Sequence, residues 1–480
     1  MSTRVLPSVV HQILDLPVAP LAGVIGAWPR SALLESGPGF SSAGRWSILA
    51  AYPRLVWEAT GSRWSLHTDS GVAETGEGDV LTVLDGLVRR FGLADPAEYP
   101  DPRLPPFQGG MIGFLGYDVA PRIERLPRAA PRDSRLPDIR LALYDTAVTI
   151  DELSGKVELW AWDLTGDGRT AAERRCRAWR KALDRALRSP KQPSSLPVSL
   201  TSPKSSFDRE SYLATVRRVL EYIKDGDVFQ VNLSQRFMAD GQIDPLQLYL
   251  RLKQVSPAPF AAYLHWQDLA VVSASPESFF RTRGNTVVTR PIKGTRPRGS
   301  SPDDDGRLAA ELLDSSKDRA ELTMIVDLER NDLGRVCEYG SVVVREPLTI
   351  ESFAQVHHLV ATVEGQLRAG VRPVDVIRAV FPGGSITGAP KIRAMEIIDE
   401  LEPNRRSLYT GAIGYVSRGG TSDFNIAIRT ILVEGSRVSF QVGGGIVADS
   451  DPEAEYEETL AKGRGMRAAL THGAGERDLP

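Results

Sequence analysis

A lysine and a glutamate that could carry out covalent catalysis lie on two neighbouring strand-like segments. The stretch SASPESFFRTRGNTVVTRPIKG reads as two β-strands joined at Gly284-Asn285, a strong hairpin signal. This hairpin predicts that Glu277 and Lys293 are near neighbours. If burial lowers the pKa of the lysine, its amine can act as a nucleophile and the carboxyl group as a general acid. A cross-strand salt bridge is the alternative interpretation.

The length of the hairpin loop decides whether these two side chains share a face of the sheet. A two-residue loop pairs Glu277 with Ile292 and places Lys293 on the opposite face. A three-residue loop, residues 284 to 286, pairs Glu277 directly with Lys293. The sequence is compatible with both loops.

Two predicted helices each carry a pair of carboxylates three residues apart. Asp318 and Glu321 lie in SSKDRAELTMIVDLERNDLGRV, whose apolar residues indicate a partly buried helix that ends before Gly334. Glu455 and Glu458 follow a capping residue and a proline in DSDPEAEYEETLAK, a pattern that predicts a helix start. This spacing places both carboxylates of a pair on one side of the helix. The two pairs could hold one Mg²⁺ ion, and solvent-exposed acidic faces are the alternative.

Other segments could contact an anionic ligand. FPGGSITGAPK, residues 381 to 391, is not a phosphate-binding P-loop, because the lysine does not directly follow the last glycine. Its small residues can still offer backbone N–H groups, and GGGIV, residues 443 to 447, allows close approach of a ligand. Arg429 lies in an apolar strand-like run, which predicts a specific anionic partner. His358 could be a core histidine, and Lys462 could pair with a glutamate one turn earlier or reach an anionic ligand.

The elements that must position these residues indicate an α+β fold of layered antiparallel β-sheets with flanking helices. Strand-like runs occur in hairpin-like pairs and not in regular β-α-β alternation. The Pro- and Ser-rich stretch 188–206 has the composition of a linker or long exposed loop. It divides the chain into an N-terminal domain, 1–187, and a C-terminal domain, 207–470, followed by a tail, 471–480.

Composition excludes several classes of protein. The chain has 480 residues, a net charge of −3 and two cysteines in unrelated contexts, so neither a disulfide framework nor a structural zinc site is expected. The small net charge gives no global attraction to nucleic acid. The sequence lacks the apolar run of about 18 residues that a membrane span needs, and its N-terminus lacks the apolar core of a signal peptide. We therefore expect a cytoplasmic protein without nucleic-acid or membrane partners.

Several long motifs resemble the chorismate-utilising enzymes, a family that includes the synthase components I of anthranilate and aminodeoxychorismate and the isochorismate and salicylate synthases. The resemblance covers residues 207 to 470 and is carried by SASPESFF, RPIKGTRPRG, DRAELTMIVDLERNDLGRV, PGGSITGAPKIRAMEIIDELEP, YTGAIGY and GGGIVADSDPEAEYEETLAK. In the N-terminal half, LLES and PFQGGMIGFLGYD are similar to the N-terminal domain of the amine-transferring members. The resemblance implies the fold of that family.

Within the family, the residue at position 293 separates two activities. Members that aminate chorismate at C4 have Lys in PIKGT, whereas those that form anthranilate have Ala in PIAGT. The resemblance of PIKGT and GGSITGAPK therefore implies the formation of 4-amino-4-deoxychorismate, on the para-aminobenzoate branch of folate biosynthesis. Anthranilate synthesis is the alternative, and a non-catalytic anion-binding regulator is a third interpretation.

The resemblance also assigns roles to individual residues. It implies that Lys293 attacks C2 of chorismate with loss of the 4-hydroxyl group, that ammonia then adds at C4 and expels the lysine, and that Glu277 acts as general acid and base. It implies that Mg²⁺ is bound by Glu321 and Glu458, with Asp318 and Glu455 in direct or water-mediated support. The implied substrate-binding residues are Thr295, His358, Thr387, Tyr409, Arg429, Gly443, Gly445 and Lys462.

Two further expectations concern regulation and ammonia supply. Leu34, Glu35 and Ser36, in LLES, resemble part of the amino-acid effector pocket of anthranilate synthases, so a bound amino acid such as tryptophan is a candidate ligand. The chain shows no glutaminase Cys/His/Glu triad. We therefore expect a separate glutamine amidotransferase subunit that supplies ammonia.

Overall fold

Runs of consecutive strands are separated by helices in the computed structural model, which describes residues 9–36, 44–94, 104–127, 130–163, 166, 168–188, 199–267, 269–353 and 356–471. The strands are β1 (Val9–Leu14), β2 (Ala32–Glu35), β3 (Trp46–Ala50), β4 (Leu55–Thr60), β5 (Arg63–Thr68), β6 (Gly71–Glu77), β7 (Gly110–Leu115), β8 (Ile139–Tyr144), β9 (Thr146–Asp151), β10 (Lys156–Trp162), β11 (Ser199–Leu200), β12 (Lys204–Ser205), β13 (Gln230–Gln242), β14 (Phe260–Trp266), β15 (Leu269–Ser275), β16 (Ser278–Arg283), β17 (Thr286–Arg290), β18 (Ile292–Pro297), β19 (Val343–Ser352), β20 (Val356–Gln366), β21 (Gly388–Ala389), β22 (Ala412–Ser417), β23 (Ser422–Ile426), β24 (Thr430–Glu434) and β25 (Arg437–Ile446). The helices are α1 (Leu21–Gly26), α2 (Val80–Arg90), α3 (Arg169–Arg188), α4 (Arg209–Lys224), α5 (Pro245–Val255), α6 (Pro302–Asp314), α7 (Ser316–Gly334), α8 (Pro373–Val380), α9 (Lys391–Leu401) and α10 (Pro452–Thr471).

Two large antiparallel sheets contain these strands. Among the described residues, the first sheet has 13 strands in the order β1-β10-β9-β3-β2-β14-β15-β24-β25-β13-β11, with β12 and β21 also paired to β13. The second has 12 strands in the order β18-β20-β17-β16-β23-β22-β7-β8-β4-β5-β6, with β19 paired to β20. The prediction of layered antiparallel sheets with flanking helices is confirmed.

The N-terminal and C-terminal parts of the chain share both sheets. In the first sheet β2 pairs with β14, and in the second β7 pairs with β22. Strands β11 and β12, within the predicted linker, pair with β13, while residues 189–198 of that linker and residues 472–480 of the predicted tail lie outside the described part. The division into domains at 188–206 stays a prediction.

Apolar side chains join the two sheets face to face. Phe114 of β7 and Trp266 of β14 belong to a buried cluster formed by both sheets, and their rings contact edge to face at 6.1 Å. On the outer side of the first sheet a second core contains residues of α3, α5 and α10, and on the outer side of the second sheet another contains residues of α2, α7 and α8. The two carboxylate-bearing helices, α7 and α10, therefore pack against different sheets.

Local capping explains where the predicted helices begin. Asp208 accepts a hydrogen bond from the Ser211 amide at the start of α4, and Asp451 accepts one from the Ala454 amide at the start of α10. The helix predicted to end before Gly334 includes that residue. No described helix is both long and apolar enough to cross a membrane.

The stacked aromatic rings of Phe280 and Phe424 in the second sheet should contribute measurably to the free energy of unfolding. Phe280 is fully buried and stacks on Phe424 at 5.3 Å, whereas Tyr339 is fully exposed. Phe280→Ala should lower the free energy of unfolding by about 3–5 kcal/mol, because it removes apolar contacts and leaves a cavity. Denaturant titration followed by circular dichroism measures this, with Tyr339→Ala as the control that should leave the midpoint unchanged. Equal midpoints for both variants would contradict the assigned core.

Candidate active site

A cavity of about 590 Å³ lies where the ends of β18 and β25 approach α7 and α10. All of the predicted catalytic and metal-binding side chains line it, and so do the predicted substrate-binding residues except Thr387. The predicted residues that line the cavity are Glu277, Lys293, Thr295, Asp318, Glu321, His358, Tyr409, Arg429, Gly443, Gly445, Glu455, Glu458 and Lys462.

A change of strand partner, and not the hairpin loop, brings Glu277 and Lys293 to the same cavity. The loop has two residues, since Arg283 pairs with Thr286, and β16 carries a bulge between Ser278 and Arg281. After Pro291 the chain leaves β16 and pairs β18 with β20. The face of Lys293 is therefore set by β20, which resolves the ambiguity that the sequence left open.

Burial changes the proton affinities of both residues. It lowers the pKa of the Lys293 amine below its ordinary value, although the Glu321 carboxylate, with Oε2 3.8 Å from Nζ, acts in the opposite direction. Burial also raises the pKa of Glu277, against the opposing effects of the Ser385 hydroxyl, the Lys293 charge and the Ile292 amide. This arrangement favours a neutral amine beside a protonated carboxyl group.

The four carboxylates on α7 and α10 each have a partner in the protein. Glu321 contacts Lys293, Asp318 pairs with Arg296 at 3.3 Å, Glu455 accepts a hydrogen bond from Ser450 at 2.6 Å, and Glu458 pairs with Lys462 at 2.6 Å. Within the described residues no group of three or more His, Cys, Asp or Glu side chains is close enough to hold a metal ion by itself. Mg²⁺, however, often uses only one or two protein carboxylates together with waters and ligand oxygens. An oxygen-only donor set on two facing helices fits that cation.

Proton affinities differ between these carboxyl groups. Burial raises the pKa of Glu321, and that of Glu455 is raised in the same way. Burial also acts to raise the pKa of Glu458, but the charge and hydrogen bond of Lys462 outweigh it and the net direction is down. Glu458 therefore favours the carboxylate form, which burial disfavours at Glu321 and Glu455.

Glycine at position 443 lets the wall of β25 pass close to its neighbours. A Cβ atom there would lie 2.5 Å from the Leu233 carbonyl oxygen and 2.9 Å from the Tyr409 hydroxyl. The Gly443 carbonyl also accepts a hydrogen bond from Lys462 Nζ at 3.0 Å. This residue therefore places the tyrosine hydroxyl and the lysine at the cavity wall.

A neutral histidine and a desolvated arginine also line the cavity. His358 Nδ1 is 3.0 Å from the Thr295 hydroxyl, and burial together with the Arg429 charge lowers the pKa of this imidazole to about 4. Burial lowers the pKa of Arg429, which has a left-handed backbone conformation with φ of 49°. No acidic side chain of the described residues pairs with Arg429, so its guanidinium group is available to an anionic ligand.

Thr387 lies behind the cavity wall. Its side chain is fully buried, and its hydroxyl donates a hydrogen bond to the Gly383 carbonyl at 2.9 Å. The loop that contains it folds back on β13, where the Asn232 amide donates to the Thr387 carbonyl. Its neighbours Ser385 and Ile386 line the cavity instead. The run of small residues predicted that this loop could approach a ligand, but it did not indicate which side chains point into the cavity.

A buried ion pair that the sequence reasoning missed joins several walls of the cavity. Arg406 binds Glu402 at 2.8 Å and donates to the Ile386 carbonyl at 3.0 Å, and its guanidinium group lies 5.6 Å from the Tyr409 ring centre. Glu402 also accepts a hydrogen bond from the Ser234 hydroxyl at 2.6 Å. The i, i+4 spacing of Glu402 and Arg406 was a visible signal, but their burial was not.

The predicted amino-acid pocket is a separate, smaller cavity. Leu34, Glu35 and Ser36 line a space of about 190 Å³ together with residues of β16, β22 and β23. The Glu35 carboxylate is already bound by the Tyr249 hydroxyl at 2.5 Å and by Lys253 at 2.9 Å. The occupant of this pocket stays a prediction.

Comparison with known proteins identifies the family of this chain. The family model described as chorismate binding enzyme matches residues 51–468. This chain belongs to the chorismate-binding enzymes. The resemblance seen in the motifs is thereby confirmed, and residues of those motifs line the cavity at the ends of β18 and β25.

Relatives of this chorismate-binding enzyme include members with two different activities. This chain is 43% identical over 435 residues to aminodeoxychorismate synthase component 1 of Escherichia coli, and the match covers 90% of this chain and 92% of that one. This chain is 40% identical over 460 residues to anthranilate synthase component 1 of Thermus thermophilus, and the match covers 95% of this chain and 96% of that one. The crystal structure of anthranilate synthase component I from Streptococcus pneumoniae superposes with a TM-score of 0.75 at 32% identity, covering 88% of this chain and 92% of that chain. Overall similarity does not separate the two activities.

The close contacts of Gly443 predict a loss of chorismate binding when a side chain is added there. Gly443→Ala should weaken binding by roughly 1–3 kcal/mol, because the wall must move away from Leu233 and Tyr409. Isothermal titration with chorismate and Mg²⁺, without ammonium, measures the change. Gly463→Ala is the matched control on α10, since a Cβ there meets nothing closer than 3.5 Å. Equal affinities of the two variants would contradict the assigned wall.

Proposed function

We propose that this enzyme aminates chorismate to 4-amino-4-deoxychorismate, on the para-aminobenzoate branch of folate biosynthesis, as an aminodeoxychorismate synthase component I. The observation that supports this most strongly is a largely buried lysine, Lys293, whose side chain is 14% exposed, in a cavity that also contains Glu277. An enzyme that only binds and orients chorismate has no need of a desolvated amine at this position. A lysine whose pKa is lowered by burial is a competent nucleophile.

The first step forms a bond between Lys293 Nζ and C2 of chorismate. The two ring double bonds each shift by one position, and the 4-hydroxyl group departs with a proton from Glu277, as water. The lowered pKa of Lys293 increases the share of the unprotonated amine, and the raised pKa of Glu277 increases the share of the acid.

The second step replaces the lysine by ammonia. Ammonia adds at C4, the two double bonds shift back, and the bond between Lys293 and C2 breaks. The proton that ammonia releases restores the acid form of Glu277. Two moderate displacements thus replace one direct substitution of a poor leaving group.

Positively charged and neutral donors hold the substrate for these steps. Arg429 and Lys462 would bind carboxylate groups of chorismate, with the Tyr409 hydroxyl and the backbone at Gly443 and Gly445 fixing its orientation. The neutral imidazole of His358, supported by Thr295, can donate a hydrogen bond without adding a charge.

Mg²⁺ is part of this proposal. Glu321 and Glu458 would bind it, with Asp318 and Glu455 in direct or water-mediated support. When bound, the ion neutralises a chorismate carboxylate and orients the ring. Binding would also remove Glu321 from Lys293 and Glu458 from Lys462, which leaves both amines available to substrate.

Ammonia would come from a separate glutamine amidotransferase subunit. The name component 1 of the relatives implies a second component in those proteins. Ammonium salts should replace this partner in vitro. A cytoplasmic location stays a prediction from the sequence.

Anthranilate synthesis is the second candidate, because an anthranilate synthase component 1 is about as similar to this chain as the aminodeoxychorismate enzymes are. That reaction eliminates pyruvate and gives a fluorescent aromatic product. It does not require an amine nucleophile from the protein. Lys293 therefore favours the first candidate.

Product analysis with chorismate, Mg²⁺ and ammonium tests the proposal. The wild-type enzyme should form 4-amino-4-deoxychorismate without releasing pyruvate. Lys293→Ala should reduce the rate by roughly a thousandfold or more, as expected for loss of a nucleophile. Lys224→Ala, the same substitution at an exposed residue at the end of α4, should have no effect.

Two results would contradict the proposal. Formation of anthranilate and pyruvate by the wild type would assign the other activity. An undiminished rate of amination by Lys293→Ala would show that the lysine is not the nucleophile.

A further inference from the structure

A network of buried polar groups lies directly behind the wall of the cavity. The ion pair of Glu402 and Arg406 is its centre, and these two side chains are only 3% and 1% exposed. Two hydrogen bonds of 2.8 and 3.0 Å join the carboxylate to the planar guanidinium group, a bidentate geometry that lysine cannot reproduce. Neither residue is among those that line the cavity, and the reaction steps above do not use them.

The guanidinium group of Arg406 uses all of its donors. Two N–H groups bind Glu402. The other three bind the carbonyl oxygens of Asn232 and Ile386 and the hydroxyl of Thr410. A guanidinium group has five N–H donors, so none is left over. The orientation of Arg406 is therefore fixed by several segments of the chain, and two of its partners, Asn232 and Ile386, line the cavity.

Two further residues of the cavity wall, Tyr409 and Gln441, are attached to this network. The Tyr409 amide donates to the Arg406 carbonyl at 2.9 Å, and the centre of its ring lies 5.6 Å from the guanidinium group. Gln441 Nε2 donates to the Ser234 hydroxyl at 2.8 Å, and that hydroxyl donates to Glu402 at 2.6 Å. Each of the two wall residues is thus one or two contacts away from the ion pair.

These contacts connect the geometry of the ion pair to the shape of the cavity. The Tyr409 hydroxyl lies so close to Gly443 that a Cβ atom there would be 2.9 Å away, so the tyrosine has little room to move. A shift of about 1 Å in a group that positions a substrate can cost on the order of a hundredfold in rate. Because the charges of Glu402 and Arg406 neutralise each other, the pair acts on a ligand through position and not through net charge.

We propose that Glu402 and Arg406 are positioning residues that hold Tyr409 and Gln441 at the cavity wall and thereby set the affinity of the enzyme for chorismate. The inference rests on the proposed function in one respect, because it places chorismate in this cavity. It does not depend on which product is formed. Both residues keep their charges throughout, and no bond to the substrate is made by either.

Exchange of Arg406 for lysine separates positioning from a structural role. Arg406→Lys keeps a positive charge beside Glu402 but offers three donors on one atom in place of five on a planar group. The KM for chorismate should rise by on the order of tenfold and kcat should change much less, as expected when uniform binding is lost. Steady-state kinetics with chorismate, Mg²⁺ and ammonium measures both constants. Since KM does not depend on the fraction of folded enzyme, a merely structural pair would lower the melting temperature and leave KM unchanged.

Arg132→Lys is the matched control for this exchange. Arg132 forms an ion pair with the buried carboxylate of Asp138 at 2.8 Å and is not among the residues that line the cavity. The same substitution there should leave the KM for chorismate equal to that of the wild type.

Ser234→Ala tests the other arm of the network with less risk to folding. It removes one hydroxyl group and no charge, yet it breaks the connection between Gln441 and Glu402. The KM for chorismate should rise roughly fivefold, the equivalent of about one hydrogen bond. This variant keeps the inference testable if Arg406→Lys does not fold.

A double-mutant cycle shows whether Arg406 acts through the tyrosine. The rise in KM caused by Arg406→Lys should be much smaller in a Tyr409→Phe background, because the hydroxyl group that the ion pair positions is then absent. Additive effects of the two substitutions would overturn the inference, and so would a wild-type KM in both Arg406→Lys and Ser234→Ala. Formation of anthranilate and pyruvate by the wild type would overturn the proposed function instead, while the KM values for chorismate would still decide this inference.

Discussion

Desolvation of a lysine amine is the physical constraint on which the active site depends. In water the ammonium form would predominate, and it has no lone pair with which to attack carbon. The cavity between the ends of β18 and β25 removes Lys293 from water and thereby lowers its pKa. The same desolvation raises the pKa of Glu277, so one physical effect favours both the nucleophile and the acid.

The interlocked sheets keep this desolvated site in shape. Lys293 is carried by the second sheet and Gly443 by the first, so their separation is set by the packing of one sheet on the other. The Arg406–Glu402 ion pair connects the 384–386 turn, β13 and the Tyr409 segment from inside the protein. Removal of one partner would leave a buried charge unpaired, which is why such a pair holds its surroundings in one arrangement.

Much of the fold and most of the candidate site could be predicted from the sequence. A capping signal located the start of α10, and a hairpin signal located the β16–β17 pair, because these signals are local. The shared face of Glu277 and Lys293 was not decided, because it depends on β18 leaving β16 for β20, a partner far away in sequence. Thr387 and Arg406 show the same limit: their types and spacings were visible, but their burial is produced by segments that fold onto them from elsewhere.

The covalent role of Lys293 is the central claim, and mass spectrometry of the intact enzyme and of its peptides tests it most directly. The enzyme is incubated with chorismate and Mg²⁺ without ammonium, quenched and digested. The account predicts an adduct equal to chorismate less one water on the peptide that contains Lys293, which disappears when ammonium is added before quenching. An enzyme that forms the amino product while that peptide never carries an adduct would contradict the account.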